Sequence, residues 1–182
     1  MSTIVLTAVE SEEGRRALDG VLRAAPDAVE WVDLSKLDFG PCLACGGCEE
    51  SPRCVLKDEF SAIVPRLAAC SRLILVTPIF LGVHHPLMKR VVDRFMPLGG
   101  GPFTVRKGEM HHESRMETPF SLTLIGLLDA DAAPEEADTF RLLASRHAVN
   151  LDCPSHEAHV VGSMNEVAET LTGVLSHPGG AR

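Results

Sequence analysis

Leu73-Ile74-Leu75-Val76-Thr77-Pro78-Ile79-Phe80 is the stretch that decides the fold. Its first four residues are all apolar, with no alternation of polar and apolar side chains. A strand of that kind is buried on both faces, as in a parallel sheet covered by helices. Pro78 restrains the turn that closes the stretch. Working outward, Ile4-Val5-Leu6-Thr7, Val29 to Leu34, Phe120 to Leu128 and Val160-Val161 supply four more strands. Helix-period segments lie between them. Leu18, Val21 and Leu22 form one such segment, and Leu87, Val91 and Phe95 another. Phe60, Ile63, Val64 and Leu67 recur at i, i+3, i+4 and i+7, which is one helix face. Pro134-Glu135-Glu136 opens a helix with proline in its first turn and acids at its positive end. Ser163 and Glu166 have capping-box spacing ahead of Val167, Leu171 and Val174.

Five β-α units imply an α/β chain with a five-stranded, doubly wound parallel sheet and helices on both faces. Ligands of such sheets bind beyond the carboxyl ends of the strands, so the loops after the first, third and fourth strands are the ones to watch. The expected organisation is a single domain over 1–176, with a cysteine-bearing insertion at about 40–56 and a flexible tail at 177–182. The segment from Met96 to Met116 is glycine-rich, then charged and rich in histidine. It is long for a plain connection and is expected to be a functional or mobile loop.

The chain has 182 residues, 45% of them hydrophobic, and a net charge of −8. That length supports a full core without metal or disulfide staples. The negative charge argues against nucleic acid as a partner. No apolar run approaches the ~18 residues needed to cross a bilayer. The start Met1-Ser2-Thr3-Ile4-Val5-Leu6 reads as a strand rather than a signal peptide. The chain is therefore expected in the cytoplasm, off the membrane, where thiols stay reduced.

Four of the six cysteines fall at 42, 45, 48 and 54, spaced C-x2-C-x2-C-x5-C. Gly46, Gly47 and Pro52 supply turns that let one loop aim several sulfurs at a common point. Thiolates are soft ligands that select zinc or iron–sulfur clusters. Successive x2 spacings resemble ferredoxin loops more than the two separated pairs of a zinc site. Cys42, Cys45, Cys48 and Cys54 are thus expected to hold a metal centre, a four-iron four-sulfur cluster first and zinc as the alternative. Free thiols and a dithiol–disulfide redox role are the readings without metal. Cys70 ends an apolar helical face and reads as core, and Cys153 is given no role.

The cysteine motif is followed by Lys57-Asp58-Glu59-Phe60, by the strand end Thr77-Pro78-Ile79-Phe80, and by Leu87-Met88-Lys89-Arg90-Val91-Val92-Asp93-Arg94. This order resembles the iron–sulfur flavoproteins of the flavodoxin-like NAD(P)H-dependent FMN reductase superfamily. The resemblance runs from about Pro41 to Arg94. It implies a flavodoxin-like three-layer sandwich with strand order 2-1-3-4-5. It also implies an FMN ring beside Thr77, Pro78, Ile79, Phe80, Leu81 and Gly82, and a homodimer or homotetramer. The implied activity is electron transfer between a ferredoxin-like donor, a cysteine-bound cluster, FMN and a small redox acceptor. The alternative is a protein of this fold without FMN, whose cysteine loop binds zinc or a cluster in a structural or partner-binding role.

The first loop departs from the family pattern, which places hydroxyls and an arginine around the FMN phosphate. Here it reads Thr7-Ala8-Val9-Glu10-Ser11-Glu12-Glu13-Gly14-Arg15-Arg16. Ser11, Gly14 and the arginine pair retain part of a phosphate cradle. Three glutamates repel phosphate by ~1 kcal/mol per contact in water and ~4 near a protein surface. The charges predict that FMN is held weakly or not at all. His84-His85 and His111-His112 read as solvated loop residues, with metal binding or proton transfer as the other use.

Overall fold

Alternate residues of β3 (Arg72–Phe80) serve two separate cores. Leu73 and Leu75 pack with Ile4, Leu6, Leu122 and Leu124 on one face; Ile74 and Val76 pack with Val5 and Ile125 on the other. The computed structural model describes residues 2–25 and 29–177. Of the tail expected at 177–182, all but His177 lies outside these residues.

β1 (Thr3–Thr7) is followed by α1 (Glu12–Arg23), β2 (Val29–Asp33), the short α2 (Gly47–Glu50) and α3 (Val64–Ala69). β3 then doubles back into the two-residue β4 (Val83–His84), which leads to α4 (Pro86–Asp93). β5 (Gly99–Arg106) and β6 (Glu109–Ser114) form a hairpin of their own. β7 (Ser121–Leu127), α5 (Pro134–Asn150), β8 (His156–Val161) and α6 (Met164–Ser176) complete the chain. The parallel strands run in the order β2-β1-β3-β7-β8, and β4 pairs antiparallel with β3. This is the flavodoxin-like order, with helices on both faces. Leu18 of α1 and Val167, Leu171 and Val174 of α6 cover one face. Phe60, Leu67 of α3, Met88 and Val91 of α4, and Phe140 of α5 cover the other.

Two expectations change in detail. The apolar face from Phe60 to Leu67 is buried as read, but its first turn, Glu59–Ala62, is a tighter 3-10 helix. Asp58 caps that turn by accepting from the Ser61 N–H at 3.1 Å. The stretch from Met96 to Met116 is a paired hairpin rather than a loop. Lys107 (φ 50°) and Gly108 (φ 81°) form its two-residue turn, and Val105 faces Met110 across it. Positive φ at both turn residues is the geometry that matches strand twist. The Lys-Gly dipeptide between alternating residues was the available signal. Arg106 ties this hairpin to α5 through Asp152 at 3.0 Å and the carbonyls of Val149 and Asn150.

β7 approaches β3 closely at the carboxyl end of the sheet. A Cβ on Gly126 would lie 2.7 Å from both Ile79 Cδ1 and Phe140 Cε1. Overpacking of this sort typically costs 1–3 kcal/mol. Gly126→Ala should therefore lower stability by about 1–3 kcal/mol in a urea titration with an unchanged slope.

Candidate functional site

Two loops leave the sheet side by side at the carboxyl ends of β1 and β3. Thr7 pairs with Val76, and the next amide, Ala8 N–H, still donates to Val76 O at 2.9 Å. The first loop enters α1 through Ser11, whose Oγ accepts from Gly14 N–H at 3.2 Å. A Cβ at Gly14 would lie 2.5 Å from Val9 Cγ1 and 2.7 Å from Ser11 Oγ, so the chain folds tightly there. The Ser11 hydroxyl proton is not used by this cap. Of the acids flanking it, one lies along the helix and one reaches across the mouth. Glu12 pairs with Arg16 at 2.6 Å along the exposed side of α1, and Glu10 lies 3.7 Å from His85 Nε2. Arg15 reaches to Ser35 Oγ at 3.2 Å, on the turn after β2.

The second loop is a hairpin. Ile79 pairs with His84 and Phe80 with Val83, across a turn of Leu81 (φ 52°) and Gly82 (φ 77°). Thr77 is buried, and its hydroxyl donates to Pro78 O while accepting from His85 N–H at 3.1 Å. Ile79 points into the core. Gly82 N–H donates to Glu136 at 2.9 Å, which ties the turn to the start of α5. Pro78 is half-buried, and Phe80 and Leu81 are exposed at 57% and 75%. The structure thus brings Ser11 and Gly14 to the same mouth as Thr77–Gly82. Within the second loop, Thr77 and Ile79 shape the hairpin, and Pro78, Phe80 and Leu81 face outward.

The four cysteines sit elsewhere. They line a cavity of about 270 Å³ with Arg94, Met96 and Pro97, beyond the carboxyl end of α4, and no residue of 77–82 borders it. The base of this loop is closed by Arg94, which is 1% exposed. Its Nη1 donates to Gly40 O at 3.2 Å and to Asp58 at 2.5 Å, and its Nη2 donates to Ser61 Oγ at 2.7 Å. Asp58 also accepts from Gly40 N–H at 3.1 Å. One ion pair therefore joins the residues on either side of the loop. The guanidinium also packs over the Phe60 ring, 5.2 Å from its centroid. Burial opposes ionisation of Asp58, but the donors from Arg94, Gly40 and Ser61 outweigh it and hold the carboxyl down at about 2.

The expected iron–sulfur or zinc centre is corrected here. Among the described residues, no three Cys, His, Asp or Glu side chains converge as metal donors. All four thiols are free and spread around the cavity wall, with Cys45 exposed. The Cys42 sulfur accepts from the Ala44 N–H at 3.5 Å, and burial pushes the Cys48 thiol up, away from the thiolate a metal needs.

The histidines are not the solvated residues expected. His84 is buried, and its Nε2 meets Nε2 of His147 at 2.8 Å, with ring planes 13° apart and centroids 5.0 Å apart. The nitrogens are much closer than the ring centres, so the rings meet edge to edge through one shared proton. His84 Nδ1 is buried without a partner. A bare lone pair is cheaper to orphan than an N–H, so His84 donates and His147 accepts. His111 is buried too, with Nδ1 at 2.8 Å from Asn150 Oδ1. His147, 63 residues from His84, gave no local signal in the sequence.

A sequence model described as NADPH-dependent FMN reductase matches residues 2–112. The chain belongs to this family. It is 26% identical over 84 residues to an iron–sulfur flavoprotein of Methanocaldococcus jannaschii, covering 46% of this chain and 43% of that one. It is 28% identical over 75 residues to the iron–sulfur flavoprotein of Methanosarcina thermophila, covering 41% and 39%. The chain thus spans about two fifths of the length of the curated relatives it matches. A solved FMN-dependent NADH-azoreductase of Bacillus anthracis, in complex with FMN, shares the fold at a TM-score of 0.58 and 12% identity, over 96% of both chains. Family membership overturns the expectation that the acidic loop leaves FMN weakly held or absent. Glu12, held by Arg16 along α1, is one of the three acids whose repulsion is offset.

Two outcomes follow. Removing the Asp58 carboxylate leaves a buried guanidinium unpaired, so Asp58→Ala should cost about 3 kcal/mol in chemical denaturation. Burial holds His84 at about 3 and His147 at about 4. Both lie below the ordinary imidazole value near 6.5. Their contribution is complete above that value and is lost as pH falls from there toward 4. Melting temperatures between pH 7 and 4 should fall more steeply for the wild type than for His84→Leu.

Proposed function

We propose that the protein is an FMN-dependent reductase that takes electrons from NADPH and passes them to a small redox acceptor. The observation that carries this reading is the shared mouth between the Ser11–Gly14 turn and the Thr77–Gly82 hairpin. Backbone N–H groups of the first turn of α1, the free hydroxyl proton of Ser11 and the nearby Arg15 suit the phosphate. The tight fold at Gly14 holds these donors in place. The Pro78–Gly82 hairpin, beyond the carboxyl end of β3 at the switch of strand order, suits the flavin ring. When bound, FMN supplies two-electron redox chemistry, and the protein supplies binding, orientation and exclusion of water.

Phe80 and Leu81 are large apolar side chains left open at the rim. They suit a flat apolar acceptor, and a neighbouring copy in a homodimer or homotetramer would cover what the acceptor leaves. A relay through a cysteine-bound cluster is not part of this reading, since the thiols do not converge. The charge of −8 suits a small acceptor better than a polyanionic one.

FMN added at about 100 times its Kd should stabilise the fold by ~2.7 kcal/mol, read as a higher melting temperature. NADPH should then be oxidised in the presence of a quinone. Ser11→Ala should weaken FMN binding by roughly tenfold or more, the worth of one hydrogen bond to a charged group. No thermal shift together with no NADPH oxidation would sink the proposal.

A further inference from the structure

His85 stands at the flavin mouth with a ring whose orientation the surrounding chain sets. It is the N-cap of α4. Its backbone N–H donates to Pro78 O at 3.0 Å and to Thr77 Oγ1 at 3.1 Å, which ties it to the end of β3. Its Nδ1 accepts from Leu87 N–H at 3.4 Å. An imidazole that accepts at Nδ1 carries its proton on Nε2, so the cap fixes the tautomer. That Nε2 lies 3.7 Å from Glu10 Oε2, beyond hydrogen-bond reach, and it has no other acceptor among the described residues. Glu10 immediately precedes Ser11, the N-cap of α1. The free Nε2–H therefore lies beside the turn that suits a phosphate. The charged groups around it are mostly engaged. Lys89 of α4 pairs with Asp93, Glu12 of α1 pairs with Arg16, and Arg15 reaches Ser35. Glu136 of α5 accepts from the Gly82 and Ala133 N–H groups, and His84 of β4 is turned to His147. Glu13 is exposed in the first turn of α1.

We propose that His85 is the residue that selects a phosphorylated flavin, with its Nε2–H binding the FMN phosphate, most strongly as the imidazolium. This rests on the reading of the mouth as an FMN site. Glu10 repels a phosphate at short range. A protonated imidazole beside it offsets that charge and donates to a phosphate oxygen. A hydrogen bond between two charged groups is roughly twice as strong as a neutral one. The neutral imidazole still donates, but it leaves the Glu10 charge unopposed. The contribution of His85 to FMN affinity is therefore larger in acid than in alkali. Riboflavin has no phosphate, so its affinity does not depend on His85. The same pair of residues thus sets both which flavin is held and how its affinity follows pH.

The test uses the full chain freed of flavin. Affinities for FMN and for riboflavin are measured by fluorescence quenching at about pH 6 and about pH 8.5, on either side of the ordinary imidazole value near 6.5. His85→Asn is the main variant, because asparagine is a strong N-cap and keeps α4 capped. An unchanged melting temperature without ligand checks this. A phosphate monoester loses its second proton near pH 6, so each variant is compared with the wild type at the same pH. At the lower pH, His85→Asn should bind FMN about tenfold more weakly than the wild type, and at the higher pH the gap should shrink to about threefold or less. Riboflavin affinity should be the same in both proteins at both pH values. Glu10→Gln should tighten FMN binding by about tenfold at both, since it removes a fixed repulsion, and leave riboflavin binding unchanged. Four results would overturn the proposal: FMN affinity that ignores His85→Asn, a His85→Asn gap of equal size at both pH values, an equal loss of riboflavin affinity, or FMN affinity that ignores Glu10→Gln. In each of these FMN still binds, so the reading of the mouth as an FMN site survives. A wild type that binds no FMN at either pH overturns both.

Discussion

Burial of β3 on both faces is the constraint from which the rest of the architecture follows. A strand whose side chains enter two cores must be covered by helices above and below. Parallel neighbours then require crossover helices, and right-handed crossovers bring the chain back on alternate faces. The carboxyl ends of β1 and β3 consequently lie side by side, with Thr7 against Val76. Residues 11–14 and 77–82, more than 60 positions apart in the chain, come to border one mouth for this reason. The site is a by-product of the sheet's connectivity rather than of any local attraction between its loops.

The Arg94–Asp58 pair does comparable work for the cysteine segment. A buried guanidinium is costly unless its donors are matched, and here two of its three nitrogens are matched by Gly40, Asp58 and Ser61. These acceptors come from both ends of the same loop, so the ion pair converts a long excursion into a closed one. The third nitrogen, Nε, is buried in the clasp.

Much of the fold was legible because apolar patterning reports burial directly. Leu73–Val76 announced a doubly buried strand, and the spacing of Phe60, Ile63, Val64 and Leu67 announced a buried helical face. The β5–β6 hairpin was missed because its outer face is half polar and its turn, Lys107-Gly108, is a weaker signal than Asn-Gly. The His84–His147 pair was missed because nothing local links two histidines on a strand and a distant helix. The acidic first loop misled for a similar reason. Counting Glu10, Glu12 and Glu13 measures charge, but the direction of that charge depends on Arg16 one turn along α1 and on His85 across the mouth.

By itself, the sequence determined the strand and helix order, the parallel sheet and the cluster of thiols, since each is written in residue spacing over short range. Tertiary structure alone decided what those residues face. It turned Glu12 aside, shared a proton between the buried imidazole of His84 and the half-buried one of His147, and set four thiols around a cavity instead of around a metal. Orientation of a side chain is fixed by packing against partners far away in the chain, and spacing along the chain carries no record of them.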